Sequence, residues 1–139
     1  MDNKGRMDNK SKADNRKVLL VDDEVDFLDL VKLMLESKGY TVITAGSGEE
    51  ALKKVRDEKP DAVMLDILMP GIDGLDVLKK IREHDKNLPV FMLTAFSNEE
   101  RRSLANILDA SGFILKTSDL QKEVQYVDIA IDIARKHKK

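Results

Sequence analysis

From Lys17 onward the chain alternates short apolar runs with longer amphipathic segments. The runs are VLLV (18–21), YTVITA (40–45), AVML (62–65), VFML (90–93) and FIL (113–115), mostly continuous rather than alternating in polarity. Continuous runs suit strands covered on both faces, as in a parallel sheet. The segments between them carry helix start signals. Ser47-Gly-Glu-Glu50, Ser97-Asn-Glu-Glu100 and Ser118-Asp-Leu-Gln121 all have capping-box spacing, in which the first hydroxyl and the fourth side chain satisfy otherwise orphaned backbone donors. The pattern predicts a first helix from about Val25 to Ser37, ending at Gly39, and a second from Gly48 to Glu58, stopped before Pro60. A third should run from about Leu75 to His84, a fourth follows Ser97 and a fifth follows Ser118.

Five strand-helix alternations predict an α/β fold: a flavodoxin-like, doubly wound parallel sheet of order 2-1-3-4-5 with five helices. Residues 1–15 are polar and charged, with Met-Asp-Asn-Lys at 1–4 and again at 7–10, and read as a disordered leader before a folded unit over 16–139. At 139 residues one domain is expected. With 24 basic and 26 acidic residues the net charge is -2, which argues against a general nucleic-acid binder. The chain has no Cys, excluding disulfide frameworks, thiolate zinc sites and cysteine nucleophiles. Its apolar stretches are far shorter than the roughly 20 residues of a spanning helix, and a signal core is missing. A soluble, cytoplasmic protein is expected.

In such sheets ligands bind beyond the carboxyl ends of the strands. Strand 1 ends in Asp22-Asp23-Glu24, strand 3 in Asp66, strand 4 in Thr94 and strand 5 in Lys116. Strand 2 ends in Gly46-Ser47-Gly48 and offers no comparable group. Each residue alone has an ordinary reading: Asp22 or Asp23 can cap a helix, Thr94 can fill a strand end and Lys116 can lie on the surface. Their joint placement implies more. Three carboxylates facing one ammonium leave negative charge uncompensated, and oxygen donors without His or Cys select a hard divalent ion, magnesium before zinc. Asp66 could then act as nucleophile toward a phosphoryl group, with Thr94 and Lys116 supporting the developing charge.

From about Lys17 to His137 the chain resembles the receiver domain of bacterial two-component response regulators. The resemblance rests on VLLVDDE (18–24), KPDAVMLDILMPGIDGLDVLKKIRE (59–83), VFMLTAF (90–96) and GFILK (112–116). It implies that Asp66 is the phospho-acceptor, that Asp22 and Asp23 form the acidic pair, and that the backbone carbonyl of Leu68 completes the magnesium site. Thr94 and Phe113 correspond to the switch pair, and Lys116 to the site lysine. A sensor histidine kinase or phosphotransfer protein is the implied donor and a downstream protein the implied target, without direct nucleic-acid contact or membrane insertion. The implied signalling face is helix 4, strand 5 and helix 5, also the candidate homodimer surface. On this reading the chain is no enzyme beyond its own phosphorylation and dephosphorylation, and its length suggests stand-alone action. One departure concerns Thr117, which stands where receivers usually carry a cis proline; a trans bond is expected. Apolar Leu68 and Phe96 suggest slow self-hydrolysis of the phosphorylated form.

Three rival readings are weaker. A degenerate receiver used only for binding conflicts with the retained acidic pair, acceptor, Thr94 and Lys116. GSGEEA (46–51) fits a dinucleotide fingerprint, but Glu49 and Glu50 would repel a pyrophosphate at that helix start. A phosphatase of the haloacid-dehalogenase type would want an acid two residues after the nucleophile, where this chain has Leu68. Helix 5 is expected to pack Leu120, Val124, Val127, Ile131 and Ala134 on the sheet. Tyr126, Ile129, Ala130 and Ile133 widen its apolar arc, favouring a generously buried helix over a docking face.

Overall fold

A computed structural model describes residues 16–69, 71–94, 99–116 and 119–137. The leader over 1–15, Phe96, Thr117 and the capping serines Ser97 and Ser118 lie outside the described residues.

The strands are β1 (Lys17–Val21), β2 (Thr41–Ala45), β3 (Ala62–Asp66), β4 (Val90–Thr94) and β5 (Gly112–Leu115). The helices are α1 (Val25–Glu36), α2 (Gly48–Glu58), α3 (Gly74–His84), α4 (Glu99–Ile107) and α5 (Leu120–His137). The strands form one parallel sheet in the order β2-β1-β3-β4-β5, as the alternation of runs predicts. Both faces are covered, which explains why the runs are apolar without a break. On one face Leu19, Val21, Val63, Leu65, Val90 and Met92 pack against Ala51 of α2, Leu75, Val77, Leu78 and Ile81 of α3, and Ala105 of α4. On the other, Val18, Leu20, Met64, Phe91, Leu93 and Ile114 meet Val31 and Leu35 of α1 and Val124, Val127 and Ile131 of α5.

Local signals set the helix ends. Ser47 caps α2 by accepting from the Glu50 backbone N–H at 3.2 Å, while Glu50 reaches back to the Gly46 N–H at 2.9 Å. The third helix starts one residue before its predicted position, because Asp73 caps it by accepting from Leu75 N–H at 2.8 Å. At the start of α5 the Asp119 carboxylate accepts from the Gln121 N–H at 3.1 Å. Gly48 lets α2 approach α3 and the turn before it, since a Cβ there would stand 1.9 Å from Ile72 Cγ2 and 2.8 Å from Val77 Cγ2.

The expectation of a generously buried α5 needs correction. Val124, Val127 and Ile131 are buried, but Tyr126, Ile129 and Ile133 are 47%, 60% and 54% exposed. The arc is wider than the groove between α1 and the sheet edge can cover. Polar contacts add to the packing of α5: Tyr40 donates to Asp128, and Arg16 Nη2 donates to Asp132 at 2.6 Å. Among the described residues no helix is long and apolar enough to cross a membrane.

Candidate functional site: an acidic pocket at the strand ends

Strand register brings two aspartates together. β1 and β3 pair in parallel with Val21 opposite Leu65, so the next step along both strands sets Asp22 beside Asp66. Alternation places both on the sheet face shared with Leu20 and Met64, toward α1 and α5. Asp22 is completely buried and Asp66 is 5% exposed. The Asp22 backbone N–H still donates to Ala45 O at 3.1 Å, extending the pairing with β2. Its Oδ1 accepts from the Glu24 N–H at 2.9 Å, so it turns the chain into α1 and does not cap that helix. Asp23, one residue further, is exposed. Carboxylate oxygens of Asp22, Asp23 and Asp66 all lie within 4.8 Å of one another.

Lys116 enters from β5 on the same face, two residues beyond Ile114. Its backbone N–H donates to Thr94 O at 2.8 Å, continuing the β4–β5 ladder past the strand end. The ammonium lies 2.8 Å from Asp22 Oδ2 and 3.7 Å from Asp66 Oδ2, and it also pairs with Glu24. Below it the Phe27 ring has its centroid 4.6 Å from Nζ. Burial works to lower the Lys116 pKa, but hydrogen bonds to Asp22 and Glu24 and the charges of Asp66 and Asp22 together hold it above its ordinary value. Asp66 moves the other way from a normal acid. Desolvation, then the neighbouring Asp22 charge, raise its carboxyl from 3.8 to about 7, although Lys116 and the Leu68 N–H oppose them.

Whether a hard cation suits these residues can be judged from their donors. Asp22 Oδ2 is buried, with the Lys116 ammonium 2.8 Å away as its charge partner. Three clustered oxygen donors with a carboxyl driven toward its neutral form provide what a divalent ion relieves. The donor set fits magnesium or calcium better than zinc.

The remaining predicted residues fall near this centre. Leu68 is 52% exposed, and its backbone N–H donates to Asp66 Oδ1 at 3.3 Å. Thr94 ends β4, next to the strand that carries Asp66. Met92 pairs with Phe113 and Thr94 with Leu115, so Thr94 and Phe113 share the opposite sheet face, toward α3 and α4. Two positions escaped sequence reasoning. A Cβ on Gly74 would stand 2.1 Å from the Asp66 carbonyl oxygen and 2.8 Å from Ile67 Cα, so only glycine lets α3 start against the Asp66 backbone. Phe27 carried only a helix-face signal in the sequence, and its place under Lys116 depends on a distant strand.

Fold and pocket together define a flavodoxin-like α/β module with an acidic site at its strand ends. The family profile described as the response regulator receiver domain matches residues 18–128, and the chain belongs to that family, whose members serve phosphorylation-based signal transduction. The chain is 44% identical over 102 residues to the alkaline phosphatase synthesis transcriptional regulatory protein PhoP of Bacillus subtilis (strain 168), covering 73% of this chain and 42% of that protein. It spans less than half the length of the curated relatives it matches. Among solved structures, a CheY-like response regulator receiver domain protein from Methanospirillum hungatei JF-1 is 25% identical, with a TM-score of 0.84 over 88% of this chain and 98% of that one. The response regulator TrrA of Thermotoga maritima, solved in complex with Mg(2+)-BeF, is 37% identical, with a TM-score of 0.75 over 83% of this chain and 98% of that one.

Proposed function

We propose that Asp66 accepts a phosphoryl group from a histidine kinase or phosphotransfer protein, and that the unit over 16–139 passes the signal on through its surface. The observation that carries this reading is the cluster of Asp22, Asp23 and Asp66 within 4.8 Å, with Lys116 leaning over it. A carboxylate oxygen of Asp66 attacks phosphorus, one P–O bond forms, and the donor's bond to phosphorus breaks, its electron pair leaving with the donor. Asp22, Asp23 and Asp66, with the Leu68 carbonyl, would hold magnesium, which when bound neutralises charge on the phosphoryl oxygens. Lys116 pairs with the transferred group from the β5 side, and its distance of 3.7 Å from Asp66 Oδ2 supports that role. Thr94 donates from the end of β4.

Thr94 and Phe113 lie on one sheet face, diagonal across the β4–β5 pair. A hydroxyl drawn toward the phosphoryl group vacates space beside the Phe113 ring, and the surface formed by α4, β5 and α5 rearranges. That surface offers exposed Leu104 and Ile107 on α4 and Tyr126, Ile129 and Ile133 on α5 to a downstream protein or a second copy. Output is by protein contact or onward phosphotransfer in the cytoplasm.

Incubation with a small acyl-phosphate donor and magnesium, followed by intact-mass spectrometry, tests the reading. The wild-type chain should gain one phosphoryl mass and Asp66→Ala none. Equal labelling of both, or of neither, overturns it.

A further inference from the structure

Lys116 is offered three anionic partners that pull in different directions. Asp22 and Asp66 draw it into the pocket, while Glu24, whose side chain is 62% exposed, draws it toward the mouth. An ammonium on a four-carbon stem has no stiffness of its own to choose between them. The ammonium also lies over the ring of Phe27, 4.6 Å from its centroid. Glu24 precedes Phe27 by three residues at the start of α1, so one turn of chain presents both to Lys116. The ring is half-buried against the core that contains Val18, Leu20, Val31 and Leu35. The ring is packed on the core, whereas the Glu24 carboxylate stands in solvent. Lys116 itself is 9% exposed, and a cation over an aromatic face gains most where water is excluded.

We infer that Phe27 is a positioning residue for phosphoryl transfer, its ring face keeping the Lys116 ammonium within reach of Asp66 while the ammonium also pairs with Asp22 and Glu24. The inference rests on the reading of Asp66 as acceptor and Lys116 as its charge partner. Residues on helix α1 thereby supply an aim for the lysine that the strand end alone does not fix. Removing the ring's electron-rich face without changing its shape should let the existing Glu24 pairing draw the ammonium further from Asp66.

Replacing Phe27 with pentafluorophenylalanine keeps the ring's shape and reverses its charge distribution; Phe27→Leu removes the ring, and Phe27→Tyr keeps it. Two readouts are taken. In metal-free protein, NMR shifts of the Lys116 ε-methylene protons report the ring above or below them. They should lie upfield in wild type and Phe27→Tyr, and move toward ordinary lysine values in Phe27→Leu. The initial rate of Asp66 phosphorylation by a small acyl phosphate should fall about fivefold in the pentafluoro and Leu variants and stay near wild type in Phe27→Tyr. Unfolding midpoints measured alongside separate this from simple loss of packing, because the pentafluoro ring fills the same space. A pentafluoro variant that labels at the wild-type rate overturns the inference, as do Lys116 shifts that ignore Phe27→Leu. A wild-type chain that takes no phosphoryl group sinks the Asp66 reading instead, while the metal-free shifts still judge the Lys116–Phe27 contact.

Discussion

Substituting Asp66 by Asn should make the metal-free protein more stable, contrary to the usual result of changing a buried polar residue. The carboxyl sits opposite Asp22 on the neighbouring strand and is 5% exposed, and its pKa is raised from 3.8 to about 7. A raised acid pKa means that the folded state keeps a proton that the unfolded state has released. The favourable contribution is therefore complete below about pH 4 and is lost as pH climbs through 7. At about 1.4 kcal/mol per pH unit the loss has a ceiling of about 4 kcal/mol at neutral pH. Asp23 and Glu24 stand exposed at the mouth, where water screens the charges. About 2 kcal/mol is the magnitude to expect after that discount. For a chain of this size it corresponds to a rise in Tm on the order of 5–10 °C. The chain lacks Trp, so urea and thermal unfolding are best followed by far-UV circular dichroism. In EDTA the advantage of Asp66→Asn should be absent at pH 4, grow to pH 7 and level off above it. Saturating magnesium should shrink or reverse it, because the ion stabilises only the protein that binds it. A variant no more stable than wild type at pH 7.5 in EDTA, or one whose advantage ignores pH, would refute the claim that carboxylate repulsion strains this pocket.

Two further substitutions probe the scaffold. Gly74→Ala forces a Cβ to within 2.1 Å of the Asp66 carbonyl oxygen, a backbone atom that cannot swing aside; urea unfolding should show a loss of about 3 kcal/mol, together with slower phosphorylation, and a loss under 1 kcal/mol would contradict the close approach. Tyr40→Phe removes the hydrogen bond to Asp128 and should cost about 1–2 kcal/mol at pH 8. Burial first, then Asp128, raise the Tyr40 pKa, so the wild type alone loses stability as pH rises past the ordinary phenol value of about 10. The gap between the two proteins should close at alkaline pH, and a constant gap would disprove the coupling.

The sheet was readable because its causes are local and repeated. Unbroken apolar runs name strands covered on both faces, and Ser47 with Glu50 names the start of α2 from residues three apart. The acidic pocket was readable because Asp22, Asp66 and Lys116 stand at the ends of their strands, and strand order brings them together on one sheet face, while Thr94 ends β4 on the other. What stayed hidden depends on partners far apart in the chain. Tyr40 and Asp128 are separated by 88 positions. Arg82, which donates through Nε and Nη2 to Asp109 O at 2.9 and 2.8 Å, is 27 positions from its acceptor. Exposure of Ile129 and Ile133 was hidden for another reason: an apolar arc on a helix records which residues can be buried, not how much of the sheet remains to cover them.

The strained charges sit where the fold can tolerate them. One residue earlier on each strand, Val21 and Leu65 are fully buried, and a carboxylate there would have neither solvent nor a cation within reach. One residue later, Asp23 is exposed and joins the cluster from its solvent side. At positions 22 and 66 the ladder has just ended, so register still forces the two side chains together while the mouth stays open through Asp23 and Glu24. The repulsion is confined to the last step of two strands whose preceding residues are fully or almost fully buried, and those buried steps hold the strands in register regardless of what the pocket binds. A change of charge at Asp66 is therefore expressed in the movable groups around it, Lys116, Glu24 and the loop through Leu68, before it reaches the core.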